Sequence, residues 1–227
     1  MIVAVHQPQY LPWLGYFDKM ARADAFVLLD TVQYKKNEWQ NRNRIKTAQG
    51  PQWLTVPVLY KFPQKIQEVE INNRERWQHK QRQALLSNYR KAPFWDLLAP
   101  FWGEVLDRPW EGLADLNLFV VRSLAALLGI ETPLYVSSEL PPFPEEPDER
   151  LAAMTTFLGG DIYLAGSGGH DYMTLETYQR AGVEVVFQSY THPVYRQFYG
   201  EFTPCLSVVD LLYHHGPESL AILRGKP

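Results

Sequence analysis

The chain has 227 residues and a net charge of -3, with 46% hydrophobic and 21% charged side chains, an apolar share that excludes wholesale disorder. The near-neutral balance excludes a sequence-independent nucleic-acid binder, which needs a broad basic face. A single cysteine, Cys205, excludes an internal disulfide and a cysteine-rich zinc site, so no zinc is expected. Proline, at 17 residues, exceeds its usual ~5% share, and many of the aromatics stand beside polar residues instead of inside apolar runs.

From the N-terminus, Ile2 to Val5 is a β-branched apolar run typical of a strand buried on both faces. The start carries no basic stretch before a long apolar core, so no signal peptide is expected. HQPQYLP follows, held extended by Pro8 and Pro12, and Trp13 to Ala23 spaces Leu14, Phe17, Met20 and Ala21 along one helix face. Ala25 to Leu29 is a second buried strand, completing a βαβ unit. Trp53 to Val58 and Ile66 to Ile71 alternate like two strands of a ribbon joined at Pro63. Three helices are expected at about 75–90, 93–106 and 111–128, with Gly129 as a C-cap. Leu116 to Ile130, the most apolar stretch, is polar-interrupted and shorter than the ~20 residues of a membrane span. After strand Pro133 to Ser137, four prolines between Pro141 and Pro147 force an extended connector. Helix 148–158, strand Ile162 to Ala165, helix 173–181 and strand Val183 to Phe187 resume the alternation, and 206–224 is mostly helical with a break at HHGP. The reading is an α/β fold: one domain over 1–227, a parallel Rossmann-like sheet flanked by helices, with a β-ribbon and helical segment inserted at about 50–130. A cytoplasmic protein is expected.

Four loops could carry chemistry. His6-Gln7-Pro8-Gln9-Tyr10 leaves the carboxyl end of the first strand, where open parallel sheets bind ligands. His6 is a candidate catalytic acid or phosphate donor, with Gln7 and Tyr10 as binding residues. Asp30 ends the second strand on the same edge and could act as a base or hold Mg²⁺. Lys35, Asn41, Arg42 and Arg44 lie in a basic segment suited to phosphates, since arginine forks onto them bidentately. Gly166-Ser167-Gly168-Gly169-His170 runs from a strand toward a helix and could let backbone amides approach a phosphate; it lacks the Lys-Ser/Thr ending of a P-loop. His192 and Tyr195, in a His-Pro-x-Tyr segment after another strand, are the last candidates; no HExxH or Gly-x-Ser-x-Gly is present. Ser207 reads as a helix cap, and His214 and His215 as a helix end.

HQPQYLPWLGYFDK, DTVQYKKNEWQNRNRIK, WLTVPV, YLAGSGG, FQSYTHPVY and LSVVDLLYHHGPE, in that order across nearly the whole chain, resemble the WbqC-like protein family. The resemblance implies a role in bacterial surface-polysaccharide synthesis and a transferase activity. The first strand, His loop, helix and Asp-ending strand are also similar to the nucleotidylyltransferase and pantothenate-synthetase superfamily. The chain departs from that superfamily's His-x-Gly-His: Pro8 stands at the glycine and Gln9 at the second histidine. Together these readings point to a transferase or ATP-dependent ligase acting on a nucleotide-linked amino sugar, with ATP and Mg²⁺ as implied cofactors. The rival is a non-catalytic sugar- or nucleotide-binding module.

Overall fold

The computed structural model describes residues 1–225. In chain order it contains β1 (Ile2–His6), α1 (Leu14–Ala21), β2 (Ala25–Leu28), β3 (Arg42–Thr47), β4 (Gly50–Thr55), β5 (Val58–Leu59), β6 (Glu70–Ile71), α2 (Trp77–Tyr89), α3 (Ala99–Asp107), α4 (Leu113–Leu128), β7 (Leu134–Val136), α5 (Pro147–Phe157), β8 (Ile162–Ala165), α6 (Leu175–Arg180), β9 (Glu184–Phe187), α7 (Val208–His215) and α8 (Ser219–Leu223). Five strands form one parallel sheet in the order β7-β2-β1-β8-β9. The chain therefore builds outward from β1 in one direction through β2 and β7, then returns to add β8 and β9 on the other side. Its topological switch lies between β1 and β8, where open α/β sheets form a ligand crevice at the carboxyl edge.

The period-two alternation of the strands sorts their side chains into two cores. Val3, Val5, Ala25, Val27, Tyr163 and Ala165 pack on α5 and α6 through Ala152, Met154 and Tyr178. Ala4, Phe26, Leu28 and Leu164 turn the other way onto Phe17 and Met20 of α1 and the helices behind it. Helices thus cover both faces, as the unbroken apolar runs of β1 and β2 demand. No helix among the described residues is long and apolar enough to cross a membrane.

The inserted region corrects the expected ribbon. β4 pairs not with 66–71 but with β3, antiparallel, setting Arg42 opposite Thr55, Arg44 opposite Trp53 and Thr47 opposite Gly50. Gly50 takes φ +104 at the turn, a region open to glycine at little cost, and the Thr47 hydroxyl donates to its carbonyl at 2.7 Å. Ile66–Glu68 is a 3₁₀ turn, and only Glu70–Ile71 pairs, with β5. The 93–106 helix divides into a 3₁₀ turn at Trp95–Leu98 and α3. Gly129, at φ +74, caps α4 as expected.

Candidate functional site

β1 delivers His6 to the carboxyl edge, and the loop that follows is threaded through the protein instead of over it. Pro8, Gln9, Tyr10 and Leu11 are all buried, so their backbone groups need protein partners. Asn117 Nδ2 donates to the Pro8 carbonyl at 3.3 Å, and Asn43 Nδ2 donates to that of Leu11 at 2.6 Å. The Tyr10 amide donates to Trp39 O at 3.1 Å. The Tyr10 hydroxyl is spent on Gln81 Oε1 at 2.6 Å, which makes Tyr10 a core residue.

His6 lies with its ring 4.7 Å from Tyr16 of α1, and its Nδ1 is 3.1 Å from the Gln7 carbonyl. A carbonyl can only accept, so Nδ1 carries the proton and Nε2 presents a lone pair. Burial, and then the neighbouring Lys19 charge, push His6 down to about 3, so the ring is neutral at neutral pH. That changes the role expected of it: Nε2 accepts, and does not donate to a phosphate. Among the described residues Nε2 has no hydrogen-bond partner. The residue borders a cavity of about 360 Å³ lined by His6, Gln7, Gln9, Trp13, Lys35, Glu38, Trp39 and Gln40. Gln40 ties two of these segments together, receiving the Lys35 amide at 2.8 Å and donating to Gln7 Oε1 at 2.6 Å. Gln9 is buried with its side-chain carbonyl unpaired.

Trp39 joins this pocket to the β3–β4 ribbon. Its ring is 5.5 Å from that of Trp53, and the Arg42 guanidinium sits 4.4 Å over Trp53. Arg44 lies 5.6 Å from Trp53 and 5.9 Å from Trp39, both within cation–π range. No carboxylate lies at ion-pair distance from either arginine among the described residues. Two of the expected basic residues thus form one platform, with Lys35 in the adjoining pocket. Asn41 is buried and spends its Nδ2 on Val56 O at 2.8 Å.

The other candidates fall elsewhere. Asp30 is buried, and its Oδ1 accepts from Ser137 Oγ at 2.7 Å and the Ser138 amide at 3.0 Å, while Oδ2 accepts from Ser138 Oγ at 2.6 Å. Three protein donors already compensate that carboxylate, so it does not fit the base or Mg²⁺ role. No group of three His, Cys, Asp or Glu able to hold a metal occurs among the described residues. Gly166 to Gly169 leads into a 3₁₀ turn over Ser167–Asp171, and α6 starts only at Leu175. The anion at that helix start is the chain's own Asp148, which accepts from the Thr174 amide at 2.8 Å and the Tyr178 hydroxyl at 3.1 Å. His170 stacks on Phe187. His192 uses both nitrogens, Nδ1 toward Pro193 O at 2.8 Å and Nε2 accepting the Cys205 amide at 3.2 Å. The Tyr195 hydroxyl donates to buried Asp210 at 2.9 Å. A larger cavity of about 820 Å³, among Thr31, Lys65, Ser137, the Pro141–Pro142 connector and Arg150, opens beside the Asp30 serines without reaching His6.

The WbqC-like protein family model matches residues 7–222. The chain belongs to the WbqC-like protein family. It is 36% identical over 229 residues to an uncharacterized protein of Mycobacterium tuberculosis, covering 98% of this chain and 97% of that protein. No solved structure matches. The family's matched span takes in the whole pocket except His6, which lies one residue before it.

Two residues that were not among the candidate site residues also shape the site. Tyr16 and Lys19 are three apart on α1 and so share a face. The Tyr16 hydroxyl donates to Gln7 O at 3.3 Å, and Lys19 Nζ donates to Val5 O at 2.9 Å. Lys19 is only 3% exposed, and burial pushes its amine down to about 7. The signal was the Tyr-x-x-Lys spacing directly after the His loop, on the flank of the apolar stripe.

Proposed function

We propose that this protein is a transferase or ATP-dependent ligase that joins an acyl or amino-acid group to the amine of a nucleotide-linked amino sugar. The observation that carries the reading is the character of the His6 pocket. Its Nε2 lone pair and the Glu38 carboxylate are acceptors, so the group that complements them is a hydrogen-bond donor, an amine or a hydroxyl. Beside them, Lys35, Arg42 and Arg44 are cations suited to phosphates. As the sugar nitrogen bonds to the acyl carbon, the donor's leaving group departs with its electron pair. His6 Nε2 accepts a hydrogen bond from that amine and orients its lone pair toward the acyl carbon, and the proton shed by nitrogen leaves with the departing group or to water. Arg42 and Arg44 fit the phosphates of a nucleotide; no step is assigned to Mg²⁺, because Asp30 does not offer it a free oxygen.

A second reading, a non-catalytic sugar- or nucleotide-binding protein, is favoured by the exposure of Trp39 and Trp53 at 36% and 41%, since indole faces bind sugar rings without chemistry. Thermal-shift and turnover measurements with ATP, nucleotide sugars and amino-sugar nucleotides test both. The enzyme reading expects a nucleotide-dependent shift that Arg42→Ala loses, and pyrophosphate or AMP release that His6→Ala abolishes while keeping the shift. Binding with no turnover of any of these compounds supports the module. No shift with any of them overturns both.

A further inference from the structure

The end of β1 carries a departure from regular sheet geometry that bears directly on His6. The carbonyls of Ile2 and His6 accept from Asp24 and Leu29 and so face β2, whereas that of Met1 accepts from Ile162 and faces β8. Alternation places the Val5 carbonyl on the β8 side too, where the amide of Gly166 would come next in a parallel ladder. The register of β1 on β8 instead stops at Ala4–Leu164, although on β2 it continues to His6–Leu28. At the switch point the two strands part, and the Val5 carbonyl is taken by the side chain of Lys19. One turn earlier on α1, Tyr16 takes the carbonyl of Gln7 and lays its ring against the imidazole. The two carbonyls flanking His6 are therefore both held from the same face of one helix.

The lysine is an unusual choice for this task. It is buried with no carboxylate at ion-pair distance among the described residues. Its near neighbour Asp18 is committed to Arg22 and Gln188, and Nζ lies 5.7 Å from the Tyr163 ring centroid. A neutral donor would hold the carbonyl without the desolvation cost of an ammonium. What only the lysine adds is charge beside the imidazole.

We propose that Lys19 and Tyr16 form a clamp that presents His6 to the pocket as a neutral hydrogen-bond acceptor for a hydroxyl or amine of the ligand, with Lys19 as a positioning residue. Tyr16 fixes the Gln7 carbonyl, which in turn fixes the proton on His6 Nδ1. Lys19 anchors the strand end, and its charge disfavours a second proton on the ring. Charged groups facing His6 from other elements are Lys35 and Glu38, both across the pocket. The ligand class rests on the function proposed above; the clamp does not, and it is tested without ligand.

Nitrogen-15 NMR of the imidazoles, with His6 assigned by its loss in His6→Asn, reads tautomer and titration together. In the wild type, His6 stays in the Nδ1–H form without titrating between pH 5 and pH 8. Lys19→Met removes the smaller of the two causes that hold the midpoint down and mixes the tautomers. It raises the midpoint above the wild-type value, which is followed by extending the titration below pH 5. Lys19→Gln restores the donor without the charge, so it keeps the tautomer and still raises the midpoint. Tyr16→Phe mixes the tautomers while leaving the midpoint low, and it carries the test if Lys19→Met fails to fold. Unchanged His192 and His214 signals show that each variant is native elsewhere. A His6 signal that titrates in the wild type between pH 5 and pH 8, or that is the same in wild type, Lys19→Gln and Tyr16→Phe, overturns the proposal.

Discussion

Three histidines of this chain share one habit and differ in one respect. His6, His192 and His214 each set Nδ1 against a backbone carbonyl, of Gln7, Pro193 and Asp210. In His192 and His214 the other nitrogen accepts a backbone amide, from Cys205 at 3.2 Å and from Phe198 at 3.1 Å. Both rings are therefore fully used, His214 in tying Phe198 to α7 and His192 in tying Cys205 back to its own segment. Of the three, only His6 leaves Nε2 unpaired among the described residues. Replacement costs should rank accordingly. His214→Ala leaves the Phe198 amide unpaired in a half-buried setting and should cost about 1–3 kcal/mol, while His192→Ala, at a more exposed amide, should cost about 0.5–1.5 kcal/mol. His6→Ala should cost the least, because the Gln7 carbonyl retains the Tyr16 hydroxyl. Urea unfolding of the three variants measures the order; a His6→Ala variant less stable than His214→Ala contradicts it.

Among the elements, those formed by apolar periodicity were legible and those formed by polar side chains were not. β1, α1, β2, α4, β8 and β9 lie within a few residues of where their apolar patterns place them; β1 and β2 are buried on both faces, while β9, at the sheet edge, is only partly covered. β3 was hidden because Arg42, Arg44 and Lys46 make it look like a solvated loop. Yet Asn43 and Ile45 are buried between them, and that alternation is the strand signal. Lys19 was hidden for a related reason: a lysine on a helix normally reads as solvent-facing, and the Tyr-x-x-Lys spacing after the His loop does not by itself say that the amine caps a strand carbonyl. The Gly166–Gly169 loop was legible as a βα turn, but not the carboxylate that occupies the helix beyond it, because Asp148 lies 26 residues from Thr174. Asp148→Ala removes that anion from the first turn of α6 and orphans the Thr174 amide and the Tyr178 hydroxyl. A loss of about 1–3 kcal/mol is expected, with amide exchange accelerating in α6 before β1. Uniform acceleration across the sheet would mean that Asp148 supports the whole fold and not this helix.

At the scale of the whole molecule, the site leaves its mark on stability against pH. Lys19 is held down to about 7 by burial, against about 10.4 in an unfolded chain. Between those values the unfolded state binds the proton and the folded state has lost it. Stability must therefore rise with pH across this window, and below about 7 the folded protein bears the full cost of a buried ammonium. His6, held down to about 3, works in the same direction at lower pH, so that stability climbs from about 3 to the ordinary histidine range near 6.5. The N-terminal amine, raised by its contact with Asp161, works oppositely above its ordinary value, and the wild-type curve mixes the two. The comparison with Lys19→Met isolates the lysine, since the N-terminus is common to both proteins. Urea midpoints at pH 6, 7.5 and 9 should show the variant gaining most on the wild type at pH 6, with the advantage shrinking as pH rises. An advantage that does not change between pH 6 and pH 9 would mean that Lys19 keeps an ordinary amine in the fold. A molecule that keeps a lysine buried without a carboxylate partner at the switch point of its sheet gives up, below about pH 7, stability that an apolar residue there would retain.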